Sequence, residues 1–356
     1  MRILHSYCLN YNIGDYALGM GVKNLFREHF PVDFFGETNL QGRVFNEYYI
    51  NEVVNKRYDL LVIGGGGIIH GAHWPNGWFW LIDIDLIKRI KIPFVIFAAG
   101  NNYFKSEGDI PAKAIAHLGE TAKRAKFFSV RNDGSYERIS EYVDFDPIEQ
   151  PDPGFHIPKS EEPLVPCTED YVIVQLAADK IEHRFGAMDN VSLFKKDLVK
   201  TLKLISRDFR IILVPHVFDD FLFSREIASE LPHSICLDFG KYAFDHASKV
   251  VEMYQSAKLV LAMRGHAQII PIGFEVPVFS LYNHDKHLGL LKKLGLENYG
   301  ISALSPNLSA DLSNLYFEIV NNYTDYKAKL SDIRRMLNQQ TAHAFSILKS
   351  KLGVEQ

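Results

Sequence analysis

A chain of 356 residues is too long for one ordinary hydrophobic core and fits two domains. Its 47% hydrophobic and 23% charged residues are those of a globular protein with well-filled interiors. Thirty-nine basic against 43 acidic residues leave a formal charge of −4, which excludes a general nucleic-acid binder and makes each basic cluster a local matter.

The start, Met1-Arg2-Ile3-Leu4, meets His5 and Asn10 too soon to form the apolar core of a signal peptide. No apolar run reaches the length of a membrane span, since Arg264, His266 and Glu275 interrupt the richest stretch. Cys8, Cys167 and Cys236 are far apart and form no CxxC pair, so a reduced cytoplasm is expected. The sequons at Asn190, Asn307 and Asn322 then read as chance.

In chain order, Arg2 to Tyr7 predicts a strand, and Asn10 to Asp15 a loop feeding a helix over residues 16–30, with Asp15 suited to the N-cap. Asn12 and Gly14 stand in a tight polar loop at a strand-to-helix switch, where substrate hydroxyls are commonly held. Tyr58 to Gly67 predicts a buried parallel strand running into a glycine loop. Gly65 and Gly66 there can let a ligand approach the backbone or simply permit close packing. Neither phosphate motif fits: GxGxxG begun at Gly64 ends on Ile69, and Ala72 stands where a Walker lysine belongs.

His70 with His73, and His284 with His287, lack a metal-site frame and read as hydrogen-bonding histidines, so no metal is expected. Trp74, Trp78, Phe79 and Trp80 can form either a stacking platform or a core cluster. Strands follow at 91–99 and 127–130, separated by a helix over 110–125, and the second ends on Arg131. The proline-rich acidic stretch Asp144 to Pro166 shows no period and reads as a linker region.

Beyond it, strands at 171–176 and 210–215 and helices at 191–206, 221–231 and 247–257 lead to Leu259–Lys286. This last stretch is a β-α-β unit that puts Arg264, His266 and Lys286 at the carboxyl ends of neighbouring parallel strands. The alternation on both sides of the linker predicts an α/β protein of two Rossmann-like domains facing across a cleft. The expected bounds are 1–155, a linker at 156–168, a second domain at 169–308 and a helical tail at 309–356 that packs back. Two arginines at strand ends, one per domain, suggest an anionic ligand.

Taken together, Asn12-x-Gly14-Asp15, Asp59 before Gly64 to Gly67, Val130-Arg131 with Ser135, Asp152-Pro153-Gly154-Phe155, and Arg264-x-His266 followed by Pro277 and Lys286 resemble the polysaccharide pyruvyl transferase family. The matches run in the family's order from Asn12 to Leu296. The chain departs where Asn132 stands for the usual aspartate, and where Gly100-Asn101-Asn102-Tyr103 stands for a Gly-Pro loop, a change that bears on the acceptor.

The resemblance implies a GT-B-like fold and transfer of a pyruvyl group from phosphoenolpyruvate, a co-substrate, to a sugar of a surface polysaccharide or its precursor as a cyclic ketal, without a cofactor. In that light Arg131 and Arg264 take the donor's phosphate and carboxylate, and Lys286 neutralises the leaving phosphate. His266 is either the general acid or a phosphate ligand. Asp15 is the candidate base, and Asn12, Gly14, Asp15, Gly65 and Gly66 face the acceptor. That acceptor can be free, polymeric or lipid-linked, the last implying peripheral membrane contact near Trp74 to Trp80. A nucleotide-sugar glycosyltransferase of the same layout, and a silent glycan-binding subunit, are the competing readings.

Overall fold

The computed structural model describes residues 1–9, 11–71, 74–102, 110–238, 246–283 and 285–354. They gather into two compact units: Met1–Asn10, Leu18–His156 and Leu337–Gln356 in the first, Tyr11–Ala17 and Ile157–Met336 in the second. His73 and His284 lie outside the described residues.

The first unit's sheet, among the described residues, has the order β2-β1-β3-β4-β5-β6, all parallel. The strands are β1 (Arg2–Tyr7), β2 (Phe34–Asn39), β3 (Leu60–Gly64), β4 (Phe94–Ala99), β5 (Phe127–Arg131) and β6 (Ile148–Gln150). Runs such as Leu60-Leu61-Val62-Ile63 are fully buried because helices cover both faces of a parallel sheet. The stretch expected to lack structure from Asp144 therefore contains an edge strand, β6, and a 3-10 turn at Pro153–His156. Three residues between Pro147 and Pro151 are too few to show a period.

The aromatic run is core rather than a platform: Trp78 and Trp80 are completely buried, and Trp78 Nε1 donates to His117 Nδ1 at 2.8 Å. Half-buried Trp74 packs edge-on to Phe79. Buried rings of this size dominate a core's energetics, which is why none of this cluster is left to meet a sugar or a lipid surface beyond Trp74's edge.

The second unit's sheet runs β12-β11-β10-β7-β8-β9, again parallel throughout the described residues. Its strands are β7 (Tyr171–Gln175), β8 (Arg210–Leu213), β9 (Ile235–Cys236), β10 (Leu259–Ala262), β11 (Val278–Tyr282) and β12 (Gly300–Ser302). Counted from the unit's own first strand, this is the doubly wound order 3-2-1-4-5-6, whose direction reverses between β7 and β10. Ligands of such sheets bind beyond the strand ends at that reversal.

Of the helical tail expected to pack back across the first domain, only residues from Leu337 onward belong to the first unit. Leu308–Asn321 lies on Met188–Ile205, where Thr201 Oγ1 donates to the Ser309 carbonyl at 3.2 Å. Near the end of Tyr323–Leu352, Phe345 meets Phe26 and Phe97 edge-on at 5.4 and 5.5 Å between ring centres, completing the first unit's core. No helix among the described residues is long and apolar enough to cross a membrane.

Candidate functional site

At the β7/β10 reversal the second unit collects polar side chains from four strand ends. Gln175, the last residue of an otherwise apolar strand, accepts from the Arg264 amide at 2.8 Å and donates to Asp220 at 3.1 Å. Arg264 follows β10 and precedes the helix Gly265–Gly273. Its Nε and Nη2 grip Asp220 in bidentate fashion at 2.7 and 2.6 Å. Asp220 has no exposed surface and also accepts from the Ala178 and His216 amides, so the carboxylate is immobilised from three directions. Burial alone would lower the Arg264 pKa, and Asp220 and Asp179 outweigh it, so the guanidinium stays charged.

Asp179 is the second counter-ion. Its Oδ1 accepts from Arg264 Nη2 at 2.5 Å and from Arg184 Nη2 at 2.9 Å. Arg184, on the short helix Ile181–Phe185, also donates through Nε to the Asp179 carbonyl and through Nη1 to Asn283 Oδ1, just past β11. Two guanidiniums thus converge on one oxygen. Burial tends to raise the Asp179 pKa, yet Arg264 and Arg184 hold it below the usual carboxylate value.

His216, after β8, is buried and bonded through Nε2 to the Tyr254 hydroxyl at 2.7 Å. Burial first, then the charges of Arg264 and His266, push its pKa well below the ordinary histidine value, so it stays neutral. Its carbonyl accepts from the Ile13 amide at 3.1 Å, which ties the turn before the helix Ile13–His29 to this unit. That helix starts earlier than expected: Asn12 Oδ1 accepts from the Gly14 amide at 2.9 Å and takes the capping role assigned to Asp15, which lies instead in the first turn.

Asn12, Gly14 and Asp15, placed by the sequence in the first domain, therefore belong to the same unit as Arg264, His266 and Lys286. Contact is direct at Gly14, where an added Cβ would stand 2.8 Å from His266 Cβ and Nδ1. Lys286 sits in the first turn of the helix Asp285–Lys293. Among the described residues no cluster of three or more His, Cys, Asp or Glu is arranged to hold a metal ion.

Arg131, Gly65 and Gly66 lie in the first unit. The Arg131 guanidinium is ion-paired with Asp133 and Asp152, each at 2.8 Å, and lies flat against Gly100, where a Cβ would meet it at 2.2 Å. It thereby joins two motifs read separately in the sequence, Val130-Arg131 and Asp152-Pro153-Gly154-Phe155. Gly65 and Gly66 are buried. The Gly65 amide donates to the Phe97 carbonyl at 2.6 Å, and Gly65's φ of 87° with Leu18 2.6 Å from a notional Cβ makes close packing its evident requirement.

The sequence reading missed Gln175, Asp179, Arg184, Asp220 and Asn283. Gln175 alone carried a signal, a polar residue closing a buried strand; the others are ordinary loop and helix residues until the fold assembles them.

A family model described as polysaccharide pyruvyl transferase matches residues 12–285. No curated protein matches the sequence significantly. Among solved structures, the chain is similar to a Listeria monocytogenes protein described as a UDP-N-acetylglucosamine 2-epimerase, with 14% identity and a TM-score of 0.61 over 100% of this chain and 97% of that one. It is also similar to the UDP-GlcNAc 2-epimerase of Neisseria meningitidis, bound to UDP-GlcNAc, with 10% identity and a TM-score of 0.56 over 100% of both chains. An Anabaena protein in complex with UDP and glucose matches at 11% identity and 0.52, also over 100% of both. These likenesses carry the two-domain α/β fold and nothing about substrate.

Proposed function

The chain belongs to the polysaccharide pyruvyl transferase family, and on that premise we propose that it moves the pyruvyl group of phosphoenolpyruvate onto a sugar of a surface polysaccharide or its precursor as a cyclic ketal. One observation supports this reading above the others: the family's first and last motifs touch, with the His266 imidazole resting on Gly14 beside the arginine site.

In this proposal Arg264 receives an anionic group of the donor, and Lys286 neutralises phosphate as it departs. His266 gives a proton to the methylene carbon of the enol, and the adjacent carbon, now electron-poor, is attacked by one sugar hydroxyl. The C–O bond to phosphate then breaks, and the second hydroxyl closes the ketal. One hydroxyl proton restores His266 and the other leaves with phosphate, so the sum is donor plus diol giving ketal plus inorganic phosphate. Asp15, in the first helical turn beside Gly14, is the base proposed to take the second hydroxyl's proton and pass it to the departing phosphate.

The test is incubation with phosphoenolpyruvate and a panel of glycans. A ketal-linked mass gain with stoichiometric phosphate supports the proposal. Release of a nucleoside diphosphate from a nucleotide sugar, with no phosphate from phosphoenolpyruvate, replaces it with glycosyl transfer.

A further inference from the structure

Around the shared Asp179 oxygen the charges sum to zero: Arg264 and Arg184 contribute +2, Asp220 and Asp179 −2. The two carboxylates are held differently. Asp220 is inaccessible and fixed by backbone amides, whereas Asp179 is 31% exposed and sits in a loop just before Lys180, a non-glycine residue at φ 53°. If Asp179 turns away the balance becomes +2 − 1 = +1, and an anion arriving with charge of its own meets two guanidiniums already aimed at one point. Asn283 Nδ2, beside Arg184, is buried and has no hydrogen-bond partner among the described residues, a donor waiting for an acceptor.

We propose that Arg184 and Asn283 complete the anion clamp begun by Arg264, and that the Asp179 carboxylate is a placeholder occupying the position of the ligand's phosphate or carboxylate until the ligand displaces it. This rests on the reading of the site as one for an anionic donor. A phosphate offers more acceptor oxygens than one shared carboxylate oxygen and can satisfy both forks and the Asn283 amide together. Burial lowers the Arg184 pKa, Asp179 opposes it, and the charge of Arg264 adds to the lowering. Once the exchange is complete each guanidinium again faces an anion, so the ligand's charge stands in for the carboxylate that it displaces.

Calorimetry of phosphoenolpyruvate and of inorganic phosphate on the full chain, on Arg184→Gln and on Asp179→Asn tests this. The expected result is at least about tenfold weaker binding for Arg184→Gln and several-fold tighter binding for Asp179→Asn, which keeps both cations and removes the competitor. Binding within about twofold of the parent in both variants, or weaker binding in Asp179→Asn, overturns the clamp while leaving the donor reading intact. Binding of phosphate but not phosphoenolpyruvate, with the same dependence on residues 179 and 184, supports the clamp and removes the donor reading. Should Arg184→Gln fail to fold, Asp179→Asn decides alone.

Discussion

A side chain at residue 14 has no room beside His266: the nearest ring nitrogen, Nδ1, would lie 2.8 Å from its β-carbon. The glycine is thus a spatial requirement of the imidazole, at a point where the chain is otherwise an ordinary helical turn. Alanine is intrinsically the better helix former by about 1 kcal/mol. Gly14→Ala should therefore displace His266, with the overpacking cost of about 1–3 kcal/mol only partly offset by the better helix propensity, and a shift of about 1 Å is enough to cost on the order of 10²-fold in turnover. Parallel measurement of kcat and Tm checks this; unchanged kcat removes His266 from the reacting centre.

Asp220→Asn should be severely destabilising. The substitution puts an amide among donors from Arg264, Ala178 and His216 and leaves the guanidinium without its fixed partner. Breaking a buried pair of this kind costs about 3–5 kcal/mol. Urea denaturation should show that loss at unchanged slope, together with loss of phosphoenolpyruvate binding.

Arg131 tests structure against chemistry. Enclosed by Asp133 and Asp152 and only 4% exposed, it holds the β5 end to the Asp152–Phe155 turn. Arg131→Gln should lower Tm by roughly 10 °C, the equivalent of a broken buried pair. An unaltered Tm with abolished donor affinity would make it a ligand residue rather than a brace.

Stability should decline as the medium is acidified below neutrality. His5 is fully buried, with Nε2 donating to the Gly64 carbonyl, and burial lowers its pKa to about 4. Unfolded, it titrates near 6.5. Between those values the unfolded chain binds the extra proton, so the folded state loses ground as pH falls from about 6.5 to about 4. His216, also depressed by burial, acts in the same direction. His5→Gln keeps a donor in the place of Nε2 without a titration, and its Tm should drop less than the parent's between pH 7 and pH 5. A parallel decline in both proteins assigns the acid sensitivity elsewhere.

Gly21→Ala should damage folding without touching the second unit's chemistry. A Cβ at Gly21 would stand 1.9 Å from the Pro153 carbonyl oxygen, a backbone atom that cannot swing aside. Overpacking of this kind costs about 1–3 kcal/mol or more. Soluble yield and Tm should fall, with turnover per folded molecule preserved.

Much of the fold was legible because parallel strands buried on both faces leave unbroken apolar runs, as in Leu60–Ile63 and Leu259–Ala262. The edge strands were not. Ile148–Gln150, Ile235–Cys236 and Gly300–Ser302 are two or three residues long, and Phe34–Asn39 carries a glycine and a glutamate, so none shows the pattern of a buried strand. Arg264 and His266 could be picked out because each follows a strand end within one short motif. Asp220 could not, since a carboxylate near a helix start reads as a cap, and nothing local says that its partner is 44 residues away. The placement of Asn12 to Asp15 was hidden for a related reason: they follow β1 directly in sequence, and nothing local foretells the bond from the Ile13 amide to the His216 carbonyl or the contact of Gly14 with His266 that place the turn in the other unit.

The division of the chain is consequently discontinuous at both ends. A fragment stopping at His156 lacks Phe345, the ring that closes the pocket between Phe26 and Phe97, and a fragment beginning at Ile157 lacks the Tyr11–Ala17 turn that abuts His266. Dissection of the gene between His156 and Ile157 should thus yield two polypeptides that are unfolded or aggregated apart, and whose activity returns only on co-expression.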